Sequence, residues 1–145
     1  TKPMNSSLMK LRLRFEVVAI LALLAAPAID AFAGEIVLEE KIVYGKGGDV
    51  DLQLDLARPK EGNGPFPAIV FVHGGGWMGG SRGMHRKDIE AAAERGYVAV
   101  SITYRLTDPD KQTGKPKHPW PAQIEDAKCA VRWVRANADK YHIDP

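Results

Sequence analysis

A single cysteine, Cys129, stands in the 145 residues, so no disulfide can close within them. It reads as a packed or half-exposed helix residue. His85, His118 and His142 have no metal-ligand spacing among themselves or with Cys129, which implies no metal site. No Gly-Lys-Ser/Thr follows a glycine run, so a P-loop is excluded, and nothing in the chain calls for a cofactor. Internal repeats and low-complexity tracts are also missing. A surplus of charge is confined to the front. Four of the 20 basic residues (Lys2, Lys10, Arg12, Arg14) and two of the 18 acidic ones (Glu16, Asp30) fall in residues 1–33, leaving 16 of each sign beyond. The remainder has no electrostatic footprint for nucleic acid.

Long apolar runs are equally scarce. Residues 17–29 are about thirteen, mostly apolar and interrupted by Pro27, short of the ~18–20 that a stable membrane span needs. Lys10, Arg12 and Arg14 behind Met9 form a basic region ahead of that run, and Ala31-Phe32-Ala33 fits a small-x-small cleavage site. Residues 1–33 are therefore expected to be a signal peptide cut after Ala33, and the mature protein secreted or periplasmic. Residues 34–145 are expected to form one domain.

In that domain the patterning is strand-like at first. Ile36, Leu38, Ile42 and Tyr44 alternate loosely with polar residues, and glycines 45, 47 and 48 punctuate. Val50, Leu52, Leu54 and Leu56 then alternate strictly with Asp49, Asp51, Gln53 and Asp55, which predicts a half-buried antiparallel strand. The continuous apolar run 68–72 predicts a strand buried on both faces of a parallel sheet, and 97–104 a second. A helix over 84–95, ended by Gly96, links them as a βαβ unit. A long helix is predicted from Trp120 or Pro121, with Ile124, Ala127, Val131, Val134, Ala138 and Tyr141 as its buried stripe. The expected fold class is α/β: the N-terminal half of a mostly parallel, doubly wound sheet led by two antiparallel strands.

The run His73-Gly74-Gly75-Gly76-Trp77 follows the first apolar strand directly. Consecutive glycines at a strand end leave no Cβ in the way, so backbone N–H groups can approach a ligand closely. N–H groups fixed in such a turn stabilise a developing oxyanion. Gly74, Gly76 and Gly79 also carry the literal spacing of a dinucleotide fingerprint, but two antiparallel strands precede them and no acidic residue ends the following strand. A mere tight turn is the remaining alternative.

With this run the chain resembles the α/β-hydrolase superfamily, in its HGGG branch of lipases and esterases. Tyr104-Arg105-Leu106 and residues 121–126 (Pro-Ala-Gln-Ile-Glu-Asp) resemble feruloyl-type and other carboxylic esterases of that branch. The resemblance implies an acyl-enzyme mechanism on a small-molecule carboxylic ester. Gly75 and Gly76 would donate oxyanion-hole N–H bonds, Gly74 would mainly make the turn, and His73 would orient the loop rather than act as base. Trp77 would line the substrate pocket or pack beneath the loop. Arg105 and Asp126 would pair across the strand end and helix start. Gly79-Gly80-Ser81-Arg82-Gly83 has the literal Gly-x-Ser-x-Gly spacing, but no strand leads into Ser81, and Ser101 has no glycine beside it, so neither has the setting of a nucleophile elbow. The nucleophile strand, acid and base are thus expected beyond Pro145, and the 145 residues alone are expected to be inactive. A peptidase of the same fold, or a non-catalytic hydrolase-like module, are the competing readings. Oligomeric state is left open.

Overall fold

Residues 34–145 are described by a computed structural model, and the expected leader at residues 1–33 lies outside the described residues. The alternating segments form two long antiparallel strands, β1 (Ile36–Gly47) and β2 (Val50–Pro59). The glycines expected to punctuate stay within β1 as far as Gly47. Between the pairs Glu39↔Leu56 and Ile42↔Leu54, β1 sets Glu40 and Lys41 against the single residue Asp55, a β-bulge. Lys41 adopts φ +57° there, and its N–H donates to the Asp55 carboxylate at 2.9 Å.

The two apolar runs become β3 (Ala68–Val72) and β4 (Val98–Ile102), paired in parallel. A 3₁₀ turn (Arg82–His85) and helix α1 (Arg86–Ala93) connect them. Helix α2 (Ala122–Ala136) and the short α3 (Ala138–Tyr141) follow. The sheet order is β1-β2-β4-β3, antiparallel except for the last pair.

Alternation along the strands divides the core into two layers. Val98, Val100 and Ile102 pack with Leu52, Leu54 and Leu56 against Ala130 and Val134 of α2 and Tyr141 of α3. Ala99 and Ala57 pack on the other face with Ile89 and Ala93 of α1. That second layer corrects the expectation of a half-buried β2. Asp55, on its polar face, is buried because Arg82 neutralises it and α1 covers the same side.

Two other expectations change. The run 68–72 was to be buried on both faces, yet β3 lies at a sheet edge with Ala68 and Val72 exposed, since no other strand among the described residues pairs with its far side. Beside the approach to β3, the chain returns after α3: Phe66 N donates to His142 O at 2.7 Å and Asp144 N to Phe66 O at 2.8 Å, a parallel bridge. In α2, the buried residues are Ala122, Gln123, Asp126, Ala130 and Val134, whereas Ile124 and Val131 of the expected stripe are exposed. The helix is rotated by about one residue, roughly 100°, from the apolar pattern. Asp126 and Gln123 are drawn inward by partners on the β4 side, and those polar contacts set the rotation.

Candidate active site

β3 hands the chain directly to His73, at the carboxyl end of the parallel strand pair where open α/β sheets hold their ligands. The turn is made by residues 75–78, with Met78 N donating to Gly75 O at 3.1 Å. Both central residues have positive φ, +60° at Gly76 and +63° at Trp77, the pattern of a type I′ turn. Gly75 stands at φ +122°, and a Cβ there would lie 2.2 Å from the Gly79 carbonyl oxygen. Gly74, expected to make the turn, has no positive φ and open space around it. The turn therefore begins one residue later than expected. Gly75 and Gly76 are exposed, and their N–H groups donate to no protein acceptor among the described residues.

His73 lies beneath this turn, 3% exposed. Its Nδ1 is 2.9 Å from Gly74 O, and because a carbonyl only accepts, Nδ1 carries the proton. The ring stacks on Tyr104 with centroids 4.2 Å apart. The Tyr104 hydroxyl donates to His73 O at 2.9 Å, and burial raises its pKa above the usual phenol value, so it stays a donor. Gly80, at φ +101°, passes so close that a Cβ would lie 2.3 Å from His73 Nδ1. His73 is held by the loop it underlies, with Nδ1 committed to the backbone.

Trp77 is half-exposed and stacks on Trp120 at 5.1 Å between ring centroids. Its carbonyl accepts from Thr107 N at 2.8 Å and Thr107 Oγ1 at 3.0 Å. An aromatic residue at positive φ is strained, and these two bonds help to hold it. Trp77, Thr107 and Trp120 thereby join the glycine turn to the segment after β4 and to the start of α2.

The BD-FAE family model matches residues 54–145, well over half of the chain. The chain belongs to the BD-FAE family. Esterase LipC of Mycobacterium tuberculosis is 37% identical over 106 residues, covering 72% of this chain and 24% of LipC. Carboxylesterase NlhH of the same species is 35% identical over 112 residues, covering 77% of this chain and 32% of NlhH. Among solved structures, Thermogutta terrifontis esterase 2 phosphorylated by paraoxon superposes with a TM-score of 0.63 at 37% identity, covering 74% of this chain and 40% of that one. The α/β-hydrolase fold expected from the glycine turn is the fold observed. The chain spans about a quarter to a third of the length of these curated relatives.

In this BD-FAE chain the pair expected between Arg105 and Asp126 forms, with Nη2–Oδ1 at 2.7 Å and Nε–Oδ2 at 2.9 Å. Arg105 N donates to the same carboxylate at 2.9 Å. These bonds raise the Arg105 pKa above its usual value, so the guanidinium stays charged. Gln123 Nε2 donates to Arg105 O at 3.1 Å and His118 O at 2.9 Å, tying α2 to the end of β4. Ser101, set aside as a nucleophile, is fully buried and its hydroxyl donates to Arg82 O at 2.7 Å. Cys129 is half-buried, with Sγ 3.8 Å from Tyr44 O.

Sequence reasoning missed Tyr104 as the support of His73, Trp120 as the partner of Trp77, and Arg82 with Asp55 behind the loop. Only the tandem Tyr104-Arg105 carries a signal in the sequence, and it points to Arg105. Asp55 gave none, since it looked like one more polar residue on an alternating strand.

Proposed function

We propose that the protein carrying this segment is an exported serine esterase that cleaves small-molecule carboxylic esters through an acyl-enzyme. The reading is carried by two unspent N–H donors, Gly75 and Gly76, held in a positive-φ turn at the carboxyl end of a parallel strand. The esterase names of its relatives support it, and so does the phosphorylated state of the Thermogutta enzyme, since phosphorylation by paraoxon needs a nucleophile. In this reading the Gly75 and Gly76 N–H groups meet the carbonyl oxygen as it becomes an oxyanion. His73 and Gly74 orient the loop, and Trp77 lines the pocket. Nucleophile, acid and histidine base lie in sequence after Pro145.

The test is turnover of p-nitrophenyl esters by the full-length protein, with p-nitroanilides alongside. Ester turnover is expected, and Trp77→Ala should raise KM more than it lowers kcat and change the preference between short and long acyl chains. Preferential cleavage of anilides would mark a peptidase of the same fold, and binding without turnover a non-catalytic module. The 145 residues alone should turn over neither substrate, because Ser81, the serine with Gly-x-Ser-x-Gly spacing, opens a 3₁₀ turn in extended backbone rather than a strand-to-helix elbow.

Export is part of the same proposal. Ala31 and Ala33 are small, as the leader peptidase requires, so N-terminal sequencing of protein from the periplasm or medium should begin at Gly34. An intact leader on cytoplasmic protein would refute it.

A further inference from the structure

Arg82 is not needed for the chemistry just described, yet both its side chain and its backbone are tethered behind the glycine turn. Its Nε donates to Asp55 Oδ1 on β2 at 2.7 Å, and its Nη1 to Thr103 Oγ1 just past β4 at 3.3 Å. Its backbone carbonyl accepts from the fully buried Ser101 hydroxyl at 2.7 Å. Asp55 in turn holds the β1 bulge through Lys41 N. Side chain and backbone of one residue are thus fastened to the two central strands of the sheet.

Two residues earlier the chain passes over the site. Gly79 O stands where a Gly75 Cβ would be, and Gly80 lies against His73 Nδ1. A slide of residues 79–82 would shift Gly79 O relative to Gly75 and Gly80 relative to the buried His73 ring, the two points at which this limb meets the site. We propose that Arg82, clamped by Asp55, is a positioning residue that sets the Gly75 and Gly76 N–H groups through the returning limb Gly79–Gly80. This rests on the oxyanion role of those N–H groups. Arg82 touches no substrate. Its effect is on where two donors point.

A misplacement of about 1 Å costs up to roughly 10²-fold in rate, without loss of substrate affinity when only the transition state uses the contact. Arg82→Lys keeps the positive charge but loses the planar fork that reaches Asp55 and Thr103 together. In the full-length protein it should lower kcat for p-nitrophenyl acetate by about 10–100-fold with KM and Tm little changed. Asp55→Asn should lower kcat in the same direction. Lys46→Ala, which breaks an exposed ion pair with Asp51 on the hairpin, is the control and should leave kcat as it was.

Hydrogen–deuterium exchange gives a readout independent of turnover. The Met78 and Thr107 amides, bonded to Gly75 O and Trp77 O, should exchange faster in Arg82→Lys while amides of β4 keep their protection. Wild-type kcat and unchanged exchange at Met78 and Thr107 would overturn the clamp. So would a loss of activity that only tracks a lower Tm. Faster exchange in a protein whose wild type hydrolyses no ester would leave the clamp standing and refute the esterase reading instead.

Discussion

Gly75→Ala in the full-length protein is expected to lower kcat for short p-nitrophenyl esters by about 10²–10³-fold, the value of one oxyanion-hole donor. The smallest possible side chain suffices, because its Cβ would lie 2.2 Å from Gly79 O at a φ of +122° that L-residues rarely adopt. The backbone must leave its present course, and the Gly75 and Gly76 N–H groups go with it. Gly76→Ala is the informative comparison. It stands at φ +60° with nothing within 4 Å of a Cβ, so only the left-handed conformation opposes it, at roughly 1–2 kcal/mol. Its loss of kcat should be clearly smaller. KM should move little in either case, since the contact is made only as the tetrahedral intermediate forms. Near-wild-type kcat for a folded Gly75→Ala protein would reduce the turn to a structural one and remove the central support for the esterase reading.

The largest expected loss of stability comes from Asp126→Ala. Asp126 is 2% exposed and accepts three guanidinium hydrogen bonds, two of them shared by Nε, and the backbone N–H of Arg105. Removing it leaves the largely buried Arg105 guanidinium with only the exposed Glu125 carboxylate, 3.8 Å away, as counter-ion, a loss that for a buried pair typically costs about 3–5 kcal/mol. Such a loss should appear as a fall in Tm of several degrees or more. Adding Arg105→Met to the variant should restore part of the loss, because the charge goes with the side chain. The Arg105 N–H would still lack its acceptor, an uncompensated cost of about 1–3 kcal/mol. Thermal or denaturant unfolding of the single and double variants checks both statements. A single variant as stable as the wild type would show that water or another acceptor replaces Asp126.

Much of the fold was legible because it follows from local periodicity. The strict alternation from Val50 to Leu56 can be satisfied only by a strand with one leucine face. The apolar run Ala68–Val72 followed by glycines marked both a strand and the place where it stops. The α2 stripe shows where periodicity gives out. Ile124 and Val131 fit an apolar face, but the helix buries Gln123 and Asp126 instead, which hydrogen-bond to Arg105 at the end of β4. Apolar patterning counts area and is blind to which polar residue will find a partner.

The candidate site divides the same way. By itself the sequence determined that three consecutive glycines follow an apolar strand after a single histidine, and that no strand leads into Ser81, the serine with Gly-x-Ser-x-Gly spacing. Chain order and residue type suffice for those statements, since glycine's freedom and what directly precedes a serine are local facts. The tertiary structure alone decided that the turn begins at Gly75 rather than Gly74, that Tyr104 carries His73, and that Arg82 and Asp55 brace the loop from behind. Each of those depends on strands distant in sequence lying side by side. Asp55 and Arg82, 27 residues apart, are neighbours only because β2 pairs with β4 and α1 closes over both.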